Sequence, residues 1–376
     1  MKRMTAKRIV FLGVWLTGLA PLASAGQAGS QAPAVGRDPG FWQWPASTPE
    51  EQGLDGTKLA ELVGQIKRGE LCPQLHALLV IRNGALALEE YFNGWSANRI
   101  HTLQSVSKSF TSALVGIAIA RGEFKGVDEK VLDFFPGLTG IANMDERKAA
   151  IRLEDLLTMR SGTDYHEQGE SSPHFQLNRL TSGWDKFYLD RPMLGPPGKE
   201  FRYDSGGVIL ISAMLRNRAG THAAAYAERF LFKPLGIKPW FWFGNGEGHT
   251  HTGGGLNLTA RDTAKLGLLY LRGGRWGDEQ VVPEAWVREC LKMHVDLTVA
   301  GQPPSGYGYL WWVLAPDPRG DGKQFVYAAR GRLGQYIFIV PEHDMVVVVL
   351  ADAKTSPEMA KPMQVFYDRI LPAVRH

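Results

Sequence analysis

Ser105 and Lys108 stand three residues apart at the head of an unusually apolar run, residues 101–121, HTLQSVSKSFTSALVGIAIAR. A serine hydroxyl is a poor nucleophile at neutral pH, and a lysine near its free pKa of about 10.4 cannot take its proton. Burial against apolar neighbours disfavours the ammonium and makes such an amine a usable base. After Gln104 the apolar residues Phe110, Leu114, Ile117 and Ala118 recur at helical spacing, and Gly122 follows Arg121 as a stop. Residues three apart on a helix share a face, so hydroxyl and amine can meet where the first turn leaves its N–H groups unpaired. The S-x-x-K spacing therefore has a mechanism behind it: a nucleophile, a base and a positive helix end in one place.

The elements around this helix read as follows. Leu59, Leu62, Val63 and Ile66 mark one face of a helix over residues 54–68. Residues 76–82 are a strand, Asn83-Gly84 is a strong hairpin signal, and residues 85–92 return as a second strand. From Gly122 to about Leu258 the apolar runs shorten, and helical stretches at residues 152–159 and 207–215 stand between long loops. Residues 160–198, containing SGTDYHEQGESSP and LGPPG, are too polar for core and read as a wall or lid. Thr259 to Asp262 cap a helix at residues 263–272. Strands at residues 307–314, 325–329, 335–340 and 345–350 and a closing helix at 359–371 complete the chain. The fold class is therefore α/β of the α+β kind. An antiparallel sheet flanked by helices (residues 41–121 and 259–376) carries an inserted, mostly helical subdomain (residues 122–258).

Lys2, Arg3, Lys7 and Arg8, an apolar run from Ile9 to Leu19, and Ala23-Ser24-Ala25 make residues 1–25 a secretory signal peptide, with cleavage expected after Ala25. The Gly, Ala, Gln and Pro of residues 26–40 then form a linker. Removing those four cations of 42 leaves 38 against 38 anions, so the apparent basicity belongs to the export signal. No basic stripe argues for nucleic acid, and no second long apolar segment argues for a membrane span. Export to the periplasm or medium would permit a bond between Cys72 and Cys290, but two cysteines so far apart are not a disulfide framework.

Four blocks in order, Ser105-Val-Ser-Lys108, Tyr203-Asp-Ser205, Gly253-Gly-Gly-Leu256-x-x-Thr-x-Arg-Asp262 and Gly331-Arg-Leu-Gly-Gln335, resemble the penicillin-recognising serine hydrolases related to class C β-lactamases. That superfamily also holds DD-peptidases, β-lactamase-type esterases and 6-aminohexanoate-dimer hydrolases. The resemblance implies the β-lactamase/transpeptidase-like fold, an acyl-enzyme on Ser105, and Tyr203 as a proton shuttle beside Lys108. It puts Ser205 where lactamases of this kind carry asparagine. The third motif departs: Ala329, Arg330 and Gly331 stand where the family has Lys-Thr-Gly or His-x-Gly. Arg330 or Arg332 is the candidate for the missing positive charge, and the N–H groups of Arg332 and Ser105 for an oxyanion hole. By likeness to the esterase and dimer-hydrolase branch, Tyr165 and His251 are candidates for substrate contact.

His249 and His251 alternate as metal ligands on a strand can, yet no third ligand stands at matching spacing, so no metal and no organic cofactor is expected. A G-x-S-x-G elbow is absent, which removes the α/β-hydrolase alternative. The sequence thus reads as an exported serine hydrolase of small esters, amides or short peptide-like substrates, either a carboxylesterase or an amide hydrolase of the aminohexanoate-dimer type. The alternatives are a β-lactamase or DD-peptidase and, in another class, an inactive homologue that binds peptidoglycan or a partner.

Overall fold

A computed structural model describes residues 43–317 and 324–375. The expected signal peptide and linker lie outside the described residues. Helix α1 (Gly56–Lys67) is capped by Asp55, whose carboxylate accepts the Lys58 N–H, and it buries the four apolar residues that the spacing selected. Strands β1 (Leu75–Arg82) and β2 (Ala85–Tyr91) turn back at Asn83 and Gly84, whose φ values of 52° and 78° are the left-handed conformation a two-residue hairpin needs.

The Ser105 segment has three parts. A two-residue strand β3 (His101–Thr102) leads into a 3-10 turn (Gln104–Val106) and then helix α2 (Ser107–Ala120), in which every residue from Ser107 to Ala118 is buried. Helices α3 (Leu153–Leu157), α4 (Pro173–Arg179), α5 (Trp184–Leu189) and α6 (Ser205–Ala219) follow, with α6 packed against α2 to α5. Short strands β4 (Trp240–Trp242) and β5 (Leu256–Leu258) join β3 in a sheet ordered β3-β5-β4, which ties this region to the start of the Ser105 segment. Helix α7 (Ala260–Leu271), capped by the Thr259 hydroxyl, and helix α8 (Glu284–Cys290) lead back to the large sheet.

That sheet adds β6 (Val295–Asp296), β7 (Ser305–Tyr307), β8 (Trp312–Leu314), β9 (Val326–Gly331), β10 (Gln335–Val340) and β11 (Met345–Ala351), and helix α9 (Ser356–Val365) follows. The order among the described strands is β2-β1-β11-β10-β9-β8-β7-β6, antiparallel throughout. Both ends of the chain therefore build one sheet. Alternation along the strands divides the interior in two. Leu79, Ile81, Ile337, Ile339, Val346 and Val348 face α2, α6 and α7, while Leu78, Val80, Phe338, Val347 and Val349 face α1 and α9. Cover on both faces is why β10 and β11 read as unbroken apolar runs.

Two expectations change. Residues 307–314 are not one strand: a turn separates β7 from β8, with Gly308 N–H bonded to Trp311 O, Leu310 at a φ of 62°, and Leu310 held by Leu157 O and the Ser109 hydroxyl. Apolar residues that read as strand continue through this corner because α2 and α3 cover it. The closing helix starts at Ser356 and passes through a π turn at Phe366–Ile370. Cys72 and Cys290 are both free thiols, one in each core, and burial pushes them up to about 11 and about 12.

Gly267 lets α7 lie close on the sheet. A Cβ there would meet Val346 Cγ1 at 2.5 Å and Ile337 Cγ2 at 2.8 Å, and both neighbours are β-branched and stiff. Gly267→Ala is expected to destabilise by about 1–3 kcal/mol through overpacking, outweighing the roughly 1 kcal/mol helix advantage of alanine. Urea denaturation checks this, and an unchanged or higher midpoint would contradict it.

Candidate active site

Lys108 is 1% exposed, and its Nζ donates to Ser105 Oγ at 2.9 Å and to Gly253 O at 2.5 Å. A buried amine is tolerated only with such partners. Ser105 lies on the 3-10 turn, not on α2 itself, and a 3-10 turn eclipses i and i+3, so the pair still meets. Gln104, just before it, has a φ of 50°, an uncommon conformation for a residue with a side chain. It is held there by the Ser107 hydroxyl, which donates to Gln104 O at 2.6 Å and accepts from Leu256 N–H at 3.2 Å. Leu103 N–H binds Leu256 O at 2.8 Å, so strand β5 fixes the Ser105 turn on both sides.

Tyr203 precedes α6 and comes to the same place. Its ring centroid is 4.9 Å from Lys108 Nζ, and its other neighbour is Trp312, stacked at 6.1 Å and 19°. Ser205 begins α6 and is 2% exposed; its N–H donates to Glu167 Oε1 at 3.0 Å, and its hydroxyl also bonds that carboxylate. A Cβ on Gly253 would lie 2.8 Å from Ser205 O, so only glycine brings the Gly253 carbonyl to Lys108.

Glu167 is the residue that sequence reasoning missed. Burial favours its neutral form, but His174, Lys108 and the two bonds from Ser205 outweigh that and hold the carboxyl below its usual range. One more acid in a polar loop carried no signal of this. His174, on α4, joins a chain of bonds along the wall. Asn178 Nδ2 donates to His174 Nε2 at 3.1 Å, and His251 Nε2 donates to Asn178 Oδ1 at 2.9 Å. This direction leaves His174 Nδ1–H to donate to Tyr165 Oη at 3.1 Å. Burial, with the Lys108 and Arg332 charges, keeps His174 below the ordinary histidine range against the pull of Glu167.

Two expected contacts are corrected. Tyr165 is 0% exposed and has no surface to offer a substrate. Bonds of 2.7 Å and 2.6 Å between Arg191 and Asp164 clip the loop down, and the Tyr165 ring turns inward against Gly206 and Tyr188. Strand alternation turns Arg330 from the Ser105 side, and its guanidinium lies 4.7 Å over Trp312, the ring that stacks on Tyr203, and 5.9 Å over Tyr336. Ala329 stays in the core on the Ser105 side of the sheet. Arg332, in the turn after β9, is exposed, makes no ion pair among the described residues, and its charge reaches His174. His251 is a buried part of the wall: its ring lies edge-on to Trp184, and burial, with the His174 and Lys108 charges, lowers it to about 4. His249 Nε2 accepts from Arg216, and among the described residues no cluster of three or more ligating side chains could hold a metal.

Gly331 brings β9 against the Ser105 turn; a Cβ there would be 2.5 Å from Leu103 O. Gly331→Ala is expected to slow reaction of Ser105 with a fluorophosphonate on the order of a hundredfold, since small displacements at a reacting centre are costly. Circular dichroism should be unchanged, and a wild-type labelling rate would contradict the expectation.

The beta-lactamase family model matches residues 76–367. A 6-aminohexanoate-dimer hydrolase of Paenarthrobacter ureafaciens is 24% identical over 313 residues, covering 78% of this chain and 76% of its own. Among solved structures, EstCE1, a hydrolase with promiscuous acyltransferase activity, is similar with a TM-score of 0.66 at 19% identity, over 84% of this chain and 98% of that one. The octameric penicillin-binding protein homologue from Pyrococcus abyssi is similar with a TM-score of 0.64 at 19% identity, over 83% and 76%. At such identities the structural likeness shows the fold alone.

Proposed function

The chain belongs to the beta-lactamase family, and on that premise we propose that it is an exported serine hydrolase opening ester or amide bonds through an acyl-enzyme on Ser105. The observation that carries this reading is the 2.9 Å bond between the buried Lys108 amine and the Ser105 hydroxyl. In the proposed cycle Ser105 Oγ attacks the substrate carbonyl, and its proton passes to Lys108, with Tyr203 beside it. The N–H groups of Ser105 and Arg332 take the negative charge that develops on the carbonyl oxygen. The bond to the leaving group breaks as that group receives the proton, and water then attacks the acyl ester by the reverse route.

Within this class the reading favours a carboxylesterase or a short-amide hydrolase of the 6-aminohexanoate-dimer type. Ala329 supplies no cation at the third motif, and the curated relative named above bears that activity in its name. One observation favours the second reading, a β-lactamase or DD-peptidase: Arg332 is an exposed cation at the rim with no ion-pair partner among the described residues, placed to meet a substrate carboxylate.

Rates of wild type and Ser105→Ala on p-nitrophenyl butyrate, nitrocefin and a 6-aminohexanoate dimer separate these. Ester or dimer cleavage that Ser105→Ala lowers by about 10⁴-fold or more, with little nitrocefin turnover, is the expected result. Rapid nitrocefin turnover that Arg332→Ala abolishes would reverse the ranking. A folded protein whose serine no fluorophosphonate labels would instead be the inactive binding homologue.

A further inference from the structure

Asp204, a buried acid outside the Ser105, Lys108 and Tyr203 group, lies between Tyr203 and Ser205 and is 4% exposed. Its Oδ1 accepts the Gly207 N–H at 2.8 Å and so caps α6. Its Oδ2 accepts from Tyr188 Oη on α5 at 2.5 Å and from Ser161 Oγ at 2.9 Å. The backbone is fixed as well: Asp204 N–H meets the Met159 sulfur at 3.2 Å, and Arg202 N–H meets Met159 O at 2.8 Å. One carboxylate thus joins the 159–163 turn, α5 and the start of α6.

A helix cap needs only one oxygen and is worth about 1 kcal/mol, which serine or asparagine supplies without burying a charge. The second oxygen, bound by two hydroxyls from elsewhere in the chain, is more than a cap requires. Tyr203 needs such an anchor. Among the described residues its hydroxyl has no hydrogen-bond partner, so the ring is aimed by its contacts with Lys108 and Trp312 and by the backbone it hangs from.

We propose that Asp204 is a positioning residue for the reaction: clamped by Tyr188 and Ser161, its carboxylate fixes the backbone from which Tyr203 faces Lys108, and Tyr188 belongs to the same device. The proposal rests on the serine hydrolase reading given above. Burial, opposed by the bonds from Tyr188, Gly207 and Ser161 and helped by the Glu167 charge, raises this carboxyl to about 6. The titratable groups that face it are Tyr188, Tyr165 and Glu167. As pH falls through that value the carboxyl gains a proton, one oxygen ceases to accept, and the clamp loosens. Stability runs the other way. A folded pKa raised above the free value of 3.8 gives a contribution that is present below the free value and lost as pH rises through about 6.

Function and fold therefore separate in one experiment. Wild type, Asp204→Asn and Tyr188→Phe are compared for kcat and KM on p-nitrophenyl butyrate across pH 5 to 9, for thermal midpoint at pH 7.5, and for fluorophosphonate labelling of Ser105. Asp204→Asn should keep or raise the midpoint, yet lose on the order of tenfold to a hundredfold in kcat with KM within about twofold, and lose the acid limb near 6. Tyr188→Phe removes a bond that favours the charged carboxyl, so its acid limb should move to higher pH. A wild-type kcat and acid limb in Asp204→Asn would overturn the clamp; should that variant not fold, a wild-type kcat and unshifted limb in Tyr188→Phe would do the same. Failure of wild type to label at Ser105 overturns the underlying hydrolase reading instead, and the clamp with it.

Discussion

A lysine amine held almost wholly out of water sets the terms for everything around Ser105. Lys108 is in the first turn of a helix buried on nearly all sides, and its amine needs oxygen partners within reach. It finds two, the Ser105 hydroxyl and the Gly253 carbonyl. Each imposes a condition on a distant part of the chain. The hydroxyl requires the 3-10 turn with Gln104 at positive φ, which Ser107 and β5 hold in place. The carbonyl requires glycine at 253, because the start of α6 leaves no room for a side chain. Helix α6 is in turn fixed at that distance by Asp204, and so the Tyr203 ring is set beside the same amine.

The large sheet supplies the opposite wall, and its pleat decides which side chains take part. Along β9 the residues alternate between two cores, so Ala329 belongs with the Ser105 side and Arg330 with the α1 and α9 side. Arg332 escapes this rule because it lies in the turn beyond the strand. Gly331 between them allows the strand to touch the Ser105 turn at Leu103 and Gln104. The cleft is consequently balanced by groups on its other side, where Glu167 and His174 sit within electrostatic reach of Lys108.

Much of this is legible in the residues alone. The period of 3.6 over Leu59 to Ile66, the period of 2 with Asn83-Gly84 at its turn, and the unbroken runs of β10 and β11 are local signals, since each records which faces of one element meet the core. The S-x-x-K pair was legible for the same reason: three residues along a helix or a 3-10 turn is a short-range distance that the backbone alone dictates. The corner between β7 and β8 was not, because its apolar residues are explained by helices α2 and α3, far away in sequence.

What the residues determined by themselves is therefore the class of fold, the two ends meeting in one sheet, and the Ser105 and Lys108 pair. What only the tertiary structure decided is where the remaining charges point. The Asp164 to Arg191 clip turned Tyr165 inward, the strand pleat removed Arg330, and a loop of ordinary polar composition delivered Glu167. The placements of Tyr165 and Glu167 depend on contacts between segments tens of residues apart, and a side chain's direction across such a gap is set by packing rather than by its neighbours in sequence.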